Sequence, residues 1–325
     1  MRTLTLAVAI TVLCAASSTS TANAQPTAPT SSHDDLIAVA RDFGTPEGRF
    51  VEVRGMNDRG AVVGDAWSAV SEQAVPILWT REGGFQKFLG EISGFATDIN
   101  DAGTIVGVTI PPVGESTFGF VWSADTGMTD LGTFRPARIN NRGQIVGVCI
   151  DPAIGTCVWE AGVMTRVNDG FGRGINERGQ VVGGGAGATQ NAAFFWSAAR
   201  GTVVLDDSEF GSGVDINRRR EIAGEKCCDS TGVNAFAVRW NGPDGALESL
   251  AVAPSSPTGI NEHGWIAGYF RDAALELRGF VWLPRGAFLD LGPGQAFAID
   301  NHQHVAGMVP VGDELHMVIW SVRRR

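Results

Sequence analysis

The sequence predicts an all-β protein, a seven-bladed β-propeller of four-stranded antiparallel blades whose ring is closed by an N-terminal strand. Three observations predict this fold: a motif that recurs seven times, a tryptophan at one position of every copy, and short apolar runs separated by turn residues. A period of about 40 residues is typical of propeller blades or of stacked helical pairs, so the local pattern has to decide between them.

The repeated motif is Ile-Asn-x-x-Gly-x-Val/Ile-Val-Gly, and its second copy reads INDAGTIVG. Successive copies are separated by 43, 40, 36, 41, 44 and 39 residues. A glycine follows the Asn position by seven residues in every copy, and a tryptophan follows it by 19 to 23 residues. The Asn position, called the repeat Asn below, is occupied by Asn57, Asn100, Asn140, Asn176, Asn217, Asn261 and Asp300.

The second copy predicts four strands, called a, b, c and d in chain order. The predicted ranges are 95–99 for strand a, 104–108 for strand b, 119–123 for strand c, which carries Trp122, and 128–131 for strand d. Runs of four to six residues rich in Val, Ile, Phe and Trp between Gly, Asn and Asp are typical of strands and turns. No window has a sustained 3.6-residue apolar period, so blades are predicted rather than helical pairs.

The two ends of the chain predict how the ring closes. The seventh copy, residues 295–322, supplies strands a, b and c, and the chain stops after Trp320 without a fourth strand. The N-terminal run Leu36–Gly44 resembles the d-strand endings at 129–132 and 289–292. A strand donated by this run would complete the last blade and remove both sheet edges. An eight-bladed ring or an open solenoid would leave one strand unexplained.

Composition and the N-terminus predict an exported protein. Residues 1–24 predict a signal peptide, with Arg2, an apolar run over 4–16 and a small-residue cleavage site ending at Ala24. Residues 25–34 predict a flexible lead-in, and 35–325 the propeller. The net charge of −10 argues against a nucleic-acid partner, and no later run approaches the ~20 apolar residues of a membrane span. We therefore expect a secreted or periplasmic monomer.

The motif INxxGxVVG, the Phe/Val-x-Trp strand and the Asp-Leu-Gly ending resemble a bacterial extracellular repeat, the HAF family. The resemblance covers the chain from about residue 36 to its end. The His-Ala-Phe triplet of the family is degenerate here, for example as Ala192-Ala193-Phe194. The resemblance implies a secreted repeat protein of propeller type without established activity, and it carries no catalytic residues over.

Candidate site residues lie where the repeats differ. The residue two before the repeat Asn, at the end of the innermost strand, is charged at Asp98, Arg138 and Asp215, and Arg54 and Arg173 lie one position further out. These side chains could form a polar ligand site, hold a cation, or compensate one another's charge in a solvated channel. We assign them to the face of the variable b–c loops, because variable loops on a rigid scaffold are the usual binding surface.

A second candidate patch lies on the opposite face. The position two after the repeat Asn is mostly Arg, at Arg59, Arg142, Arg178 and Arg219. In the last two copies His263, Trp265, His302 and His304 occupy the positions two and four after it, and they could bind a metal or stack a sugar. His-x-His without a third ligand is a weak metal signal, so solvated turn residues are favoured and no metal ligand set or cofactor is assigned.

Four cysteines remain after residue 24, and export favours their oxidation. Cys149 and Cys157 flank the loop IDPAIGT, which predicts a hairpin disulfide. Cys227 and Cys228 are adjacent, so a vicinal disulfide, metal binding or two free thiols remain open.

No nucleophile elbow, zinc, phosphate-loop or dinucleotide motif occurs in the sequence. We therefore expect a binding module for a glycan, an envelope component or a protein. The alternatives are a polysaccharide lyase or hydrolase that works at the channel mouth with Asp98, Arg138 and Asp215, and a structural spacer of the cell envelope.

Overall fold

The computed structural model describes residues 36–46, 50–67, 73–110, 117–151, 153–186, 191–206, 210–227, 235–250, 252 and 254–324. Within these residues the chain forms 28 strands and one 3-10 turn, Pro284–Gly286, so the predicted all-β class is confirmed. The described residues include no helix with the length and apolar character needed to cross a membrane.

The strands follow one another in units that correspond to the repeats. Strand β1 is Leu36–Gly44. The first unit is β2 (Val51–Met56), β3 (Val62–Trp67), β4 (Ala74–Thr80) and β5 (Gly84–Gln86). The second is β6 (Gly94–Ile99), β7 (Ile105–Thr109), β8 (Gly119–Ser123) and β9 (Gly127–Asp130). The third is β10 (Arg135–Ile139), β11 (Ile145–Cys149), β12 (Gly155–Glu160) and β13 (Val163–Asn168).

The later units repeat this order. The fourth is β14 (Phe171–Ile175), β15 (Val181–Ala186), β16 (Ala192–Ser197) and β17 (Gly201–Asp206). The fifth is β18 (Gly211–Ile216), β19 (Glu221–Lys226), β20 (Phe236–Asn241) and β21 (Leu247–Ser249). The sixth is β22 (Ser255–Ile260), β23 (Ile266–Arg271), β24 (Leu277–Trp282) and β25 (Phe288–Pro293). The seventh is β26 (Gln295–Ile299), β27 (His304–Val311) and β28 (Glu314–Arg324).

Every unit is an antiparallel meander in which neighbours in sequence pair. The described strands form five four-stranded sheets and one eight-stranded sheet. The larger sheet combines the fourth and fifth units, which join where Gly184 of β15 pairs with Ser212 of β18. In the second unit the strands agree with the predicted ranges to within one or two residues.

The N-terminal strand belongs to the sheet that holds the C-terminal residues. Strand β1 pairs antiparallel with β28, from Leu36 opposite Arg324 to Gly44 opposite Met317, and the sheet order is β1-β28-β27-β26. The ring of Phe43 then meets Trp79 of the first unit at a centroid distance of 4.4 Å. Strand β1 therefore contacts units from both ends of the chain.

The apolar core lies between successive sheets. Ile139, Ile145 and Val146 are buried, and Val106 of the second unit packs in one cluster with Ile139 and Ile145 of the third. The repeat tryptophan Trp159 is partly buried against the same cluster. Each unit thus covers its neighbour's apolar face.

The buried repeat Asn joins each unit to the next. In the second unit the Asn100 Oδ1 accepts the backbone N–H groups of Ala102 and Thr104, which fixes the a–b turn. The Asn100 Nδ2 donates to the carbonyl oxygen of Asn140, the repeat Asn of the following unit. Equivalent bonds run from Asn57 to Asn100, Asn140 to Asn176, Asn176 to Asn217, Asn217 to Asn261 and Asn261 to Asp300.

A second set of bonds involves the residue that follows the repeat Asn. The backbone N–H of Asp58 donates to Asp101 Oδ1 at 2.8 Å, and that of Asp101 donates to Asn141 Oδ1 at 2.8 Å. The same contact links the seventh unit to the first, because the Asn301 N–H donates to Asp58 Oδ1 at 2.8 Å and its Nδ2 to Asp58 Oδ2 at 2.8 Å.

Candidate functional site

The a strands of all seven units border one cavity of about 170 Å³. Four of the five charged residues singled out from the sequence line it, and Arg173 does not. The charged lining residues are Arg54, Asp58, Asp98, Asp101, Arg138, Glu177, Asp215 and Glu262.

A β-bulge in each a strand positions these side chains. In β6 the register shifts between Ala96 and Asp98, so Thr97 has no partner on β7. The other six a strands have the same shift in register, around the residue three positions before the repeat Asn. A bulge re-aims side chains relative to regular alternation, and residues from both positions, such as Asp98 and Thr258, line the cavity.

Asp98 connects the second unit to the third. Its Oδ2 accepts the backbone N–H of Ile139 at 2.9 Å. Burial raises the pKa of Asp98 to about 6. The positive charge of Arg138 and the hydrogen bonds from the backbone N–H groups of Ile139 and Ile99 act in the opposite direction and lower it. The carboxyl group therefore bridges two units while its burial disfavours the charged form.

Asp215 makes the corresponding connection between the fifth and sixth units. Its Oδ1 accepts the N–H of Ile216 at 2.8 Å, and its Oδ2 accepts that of Ile260 at 3.1 Å. Burial raises the pKa of Asp215, whereas the positive charge of Arg138 and the two hydrogen bonds from backbone N–H groups lower it. Both carboxylate oxygens are thus engaged by backbone amides.

Arg138 reaches across the cavity between these two carboxyl groups. It belongs to the third unit, and its Nη2 donates to the carbonyl oxygen of Thr258 in the sixth unit at 3.2 Å. Its positive charge lowers the pKa of both Asp98 and Asp215. The cluster of one arginine and two aspartates is therefore a set of mutually compensating charges that ties units together across the channel.

Arg54 is held at the cavity wall by residues of the first and second units. Its Nε donates to Asp65 Oδ1 at 2.8 Å, its Nη2 lies 3.0 Å from Glu52, and its guanidinium covers the ring of Phe95 at 4.5 Å. Burial raises the pKa of Asp65 to about 6, against the attraction of Arg54.

The structure does not bring Arg173 to this group. Its Nη1 pairs with Glu225 Oε1 at 2.7 Å and lies 3.3 Å from Ser212 Oγ, both in the fifth unit. Arg173 is exposed. A carboxylate on the neighbouring unit holds this side chain away from the channel, and the sequence repeat does not encode such a partner.

The structure also corrects the face on which Asp98, Arg138 and Asp215, called the channel charges below, were predicted to lie. The cavity is lined by a strands and a–b turn residues such as Asp58, Asp101 and Glu177, and its described lining includes no b–c loop residue. The physical reason is that strand a ends at the a–b turn, so a residue two before the repeat Asn lies near that turn. The channel charges therefore belong to the a–b face.

The histidine patch lies in the a–b turns of the last two units and at the start of strand β27, outside the lining of the cavity. His263 Nε2 lies 3.2 Å from the carbonyl oxygen of Asn301, and His304 Nδ1 lies 2.8 Å from Asp300 Oδ2. His302 is exposed, and Trp265 packs against the apolar cluster of the sixth and seventh units. In the described residues no three His, Cys, Asp or Glu side chains group as a metal site would require.

The opposite face, formed by the b–c and d–a connections, carries exposed apolar side chains. Nine of the fifteen exposed large hydrophobic residues among the described residues lie there, and the other six lie on outermost strands. The most exposed of the nine residues on this face are Leu275, at 68%, and Ile154, at 55%. The nine are Phe50, Ile92, Ile110, Ile150, Ile154, Phe171, Phe210, Leu275 and Val311.

A disulfide and an arginine hold one of these b–c loops. Cys149 and Cys157 form a disulfide with a Cα–Cα distance of 5.6 Å, so the predicted hairpin bridge is confirmed. Arg166 donates from Nη1 to the carbonyl of Ala153 at 2.7 Å and from Nη2 to that of Ile154 at 2.9 Å. Ile154 is thus presented on a loop that is fixed at both ends and in the middle.

The second cysteine pair is described only in part. Cys227 is disulfide-bonded, and its N–H donates to the carbonyl of Phe210 at 2.8 Å on the same face. Cys228 lies outside the described residues, so the vicinal disulfide stays a prediction.

Comparison with solved structures identifies the fold. The β-propeller domain of the trilobed protease from Pyrococcus furiosus, described as having an open velcro topology, matches with a TM-score of 0.58 at 11% identity over 86% of this chain and 96% of that one. Acylaminoacyl peptidase from Pyrococcus horikoshii matches with a TM-score of 0.58 at 12% identity over 85% of this chain, and puromycin hydrolase with 0.56 at 12% over 86%. This chain covers only 52% of each of the two hydrolases.

The chain is therefore a β-propeller, and at these identities the likeness extends to the fold alone. Searches of protein-family models and of curated proteins found no match. The resemblance to HAF repeats accordingly stays a prediction.

Proposed function

We propose that the protein is an exported, monomeric, seven-bladed β-propeller that binds a partner protein through the face formed by its b–c and d–a connections. The observation that carries the proposal is the concentration of exposed apolar side chains on that face. Scattered single apolar residues are ordinary on protein surfaces, but a set gathered on one face is typical of an interaction surface.

Three contacts support seven blades in a closed ring. Strand β1 pairs with β28, which gives the seventh unit its fourth strand. Asn301 of the seventh unit donates twice to Asp58 of the first. Residues from all seven units line one cavity, as expected if the units surround one axis.

The size and rigidity of the apolar face favour a protein as the partner. The nine exposed apolar residues come from all seven units, so they extend over the whole face rather than into a pocket of small-molecule size. The loop of Ile154 is held by the Cys149–Cys157 disulfide and by Arg166. A preorganised apolar anchor loses little conformational entropy on binding, which is a property of interface hot spots.

Several charged residues of the same face pair with one another. Arg173 pairs with Glu225, and Lys226 with Asp206 at 2.6 Å. Arg278 lies 2.8 Å from Asp290. Because these charges are compensated within the protein, the apolar side chains dominate what this face offers to a partner.

The channel cluster supports a structural role better than the alternative of a polysaccharide lyase or hydrolase. A general acid or base needs a carboxyl group within reach of the substrate's proton. The oxygens of Asp215, and Oδ2 of Asp98, instead accept backbone amides of their own and neighbouring units. The disulfide is compatible with export, because such bonds persist in oxidising compartments.

Site-specific photo-crosslinking on the full chain tests this proposal. A photoreactive amino acid replaces Ile154 or Leu275 on the proposed face, and Ala102 on the opposite face as the matched control. We expect one protein, identified by mass spectrometry, to be captured from the first two positions and not from Ala102.

The captured protein is then purified and its affinity measured by calorimetry. Ile154→Glu should weaken binding more than tenfold, whereas Val163→Glu, at a 64% exposed residue of an outermost strand, should change it less than twofold. Equal losses for the two variants, capture from Ala102 as well, or no capture from either test position would refute the proposal.

A further inference from the structure

A second surface feature lies on the a–b face, opposite the apolar face: one position of the repeated turn is basic in most units. The residue two after the repeat Asn is basic in six of the seven turns, and we call these residues the basic crown. They are Arg59, Arg142, Arg178, Arg219, His263 and His302.

The backbone of the crown is held the same way in every unit. The N–H of Arg59 donates to Asn57 Oδ1 at 3.1 Å, and that of Arg142 donates to Asn140 Oδ1 at 3.0 Å. All six crown side chains are exposed. A rigid repeated turn thus presents basic groups at equivalent positions around the channel.

The turn itself does not need a basic side chain. In the second unit Ala102 occupies the same position, and its N–H makes the same bond to Asn100 Oδ1 at 3.1 Å. The arginines of the crown are therefore not explained by folding of the turn.

Three crown arginines lack an intramolecular counterion in the part of the chain that the structure describes. The ion pairs found among described residues include Arg219 with Glu221, at 2.8 Å, but none for Arg59, Arg142 or Arg178. On the opposite face Arg173 is paired with an acid. Among the described residues, the crown thus presents three unpaired guanidinium groups at equivalent positions of the repeated turn, in a chain of net charge −10.

We infer that the basic crown binds an acidic polysaccharide, a chain of sugars that carry carboxylate or sulfate groups. The planar guanidinium group donates two parallel hydrogen bonds to such groups, which gives both energy and orientation. A repeating polymer can engage several equivalent arginines at once, so weak single contacts add to useful avidity.

The surroundings of the crown favour a flexible chain over other polyanions. Asp58, Asp101, Glu177 and Glu262 line the cavity inside the crown, and their charge opposes a flat anionic membrane across the mouth. The fifteen exposed large hydrophobic side chains of the described residues include none in an a–b turn, so a membrane anchor or a stacking platform for nucleic-acid bases is lacking there. Duplex DNA is too stiff to follow a small ring.

This inference is independent of the protein-binding face, because the two surfaces lie at opposite ends of the strands. Loss of crown binding would leave capture of a protein at Ile154 unchanged. The reverse also holds, so failure of one proposal can be distinguished from failure of the other.

Binding of the purified full chain to defined polymers tests the inference. The probes are polygalacturonate and heparin, with neutral dextran and vesicles of anionic phospholipid as comparisons, each measured over a range of salt concentrations. We expect binding of at least one acidic polymer that weakens with salt, and no binding of dextran.

Two triple variants with equal loss of charge locate the binding surface. R59A/R142A/R178A imitates Ala102 and should weaken binding more than tenfold with a shallower salt dependence, while circular dichroism stays unchanged. R135A/R173A/R271A removes the same charge from the opposite face and should change affinity less than twofold. Equal loss in both variants, binding of vesicles alone, or no binding of either acidic polymer would overturn the inference.

Discussion

At the scale of single residues, the hydrogen bonds that link the a–b turns have one exception. Six repeat asparagines each donate from Nδ2 to the next unit, and the seventh residue is Asp300, whose carboxylate has no proton to donate. Asp300 Oδ1 accepts the N–H groups of His302 and His304, and Oδ2 faces His304 Nδ1 at 2.8 Å. The junction between the last and first units therefore lacks one bond that the other junctions have.

Restoring this bond should stabilise the protein. In the third unit Asn140 Nδ2 donates to Gln144 Oε1 at 2.9 Å and to the carbonyl of Asn176 at 2.9 Å, so the double variant D300N/H304Q copies a pair that the fold already contains. One added buried hydrogen bond should raise the free energy of unfolding by about 1 kcal/mol, as measured by urea denaturation.

The opposite change provides the control for that measurement. Asn140→Asp removes a donor from an intact junction and should lower the free energy of unfolding by about 1 kcal/mol or more. A D300N/H304Q protein less stable than the wild type would show that the Asp300–His304 pair itself stabilises the junction.

At the scale of the strand, the glycine seven residues after the repeat Asn is explained by close approach. A Cβ atom at Gly107 would overlap the carbonyl oxygen of Phe95 on strand β6 and the ring of Phe120 on strand β8. The equivalent glycines of the other units meet the same a-strand carbonyl, because the bulged strand a presses against strand b there. Only a residue without a side chain fits at this position.

Substitution of this glycine should therefore be costly. Gly107→Ala forces a shift of backbone or of the Phe120 ring and should lower the free energy of unfolding by about 3 kcal/mol or more. Gly259→Ala is the matched control, because its Cβ would lie 3.5 Å from Asp215 Oδ2 and Ala298 occupies the equivalent position in the seventh unit. The control should change stability by less than about 0.5 kcal/mol, and similar losses for both variants would contradict the close-approach explanation.

Much of the strand architecture was predictable because it repeats. The spacing of Asn100, Gly107 and Trp122 located strands a, b and c of the second unit, and the predicted run Leu36–Gly44 coincides with strand β1. The bulge at Thr97 was not predictable, since no residue type marks it. Sequence alternation alone therefore could not tell which side chains at the end of strand a enter the channel.

At the scale of the whole molecule, the residues of the candidate site were predicted, with charge compensation as one of their possible roles, but the contacts that they make were not. Asp98, Arg138 and Asp215 were predicted together from their repeat position, and all three line the cavity. That Arg138 reaches Thr258 three units away depends on the width of the cavity, which the sequence does not state. The pairing of Arg173 with Glu225 was likewise out of reach, because it depends on how neighbouring units are rotated.

Enclosure of carboxyl groups by several units gives the whole fold a pH dependence. Burial raises the pKa of Asp98 and of Asp65 to about 6 from the ordinary aspartate value of 3.8, and it raises that of Asp215 as well. Between pH 3.8 and about pH 6 the folded protein binds more protons than the unfolded chain. The free energy of unfolding therefore falls as pH rises through this range. His316, whose pKa is raised by Asp42, contributes in the same direction at higher pH, but both groups are near the surface and their effect is small.

We therefore expect the free energy of unfolding to fall as pH rises from about 4 to about 6.5, with Asp98 contributing on the order of 2–3 kcal/mol. Urea denaturation at intervals across this range measures the slope. Asp98→Asn has no proton to lose, so its slope should be shallower even if the Ile139 contact is weakened and the variant is less stable throughout. A wild-type curve that is flat or rises over this range, or an unchanged slope in Asp98→Asn, would mean that the positive charge of Arg138 and the hydrogen bonds from the backbone amides fully offset the cost of ionising the buried carboxyl group.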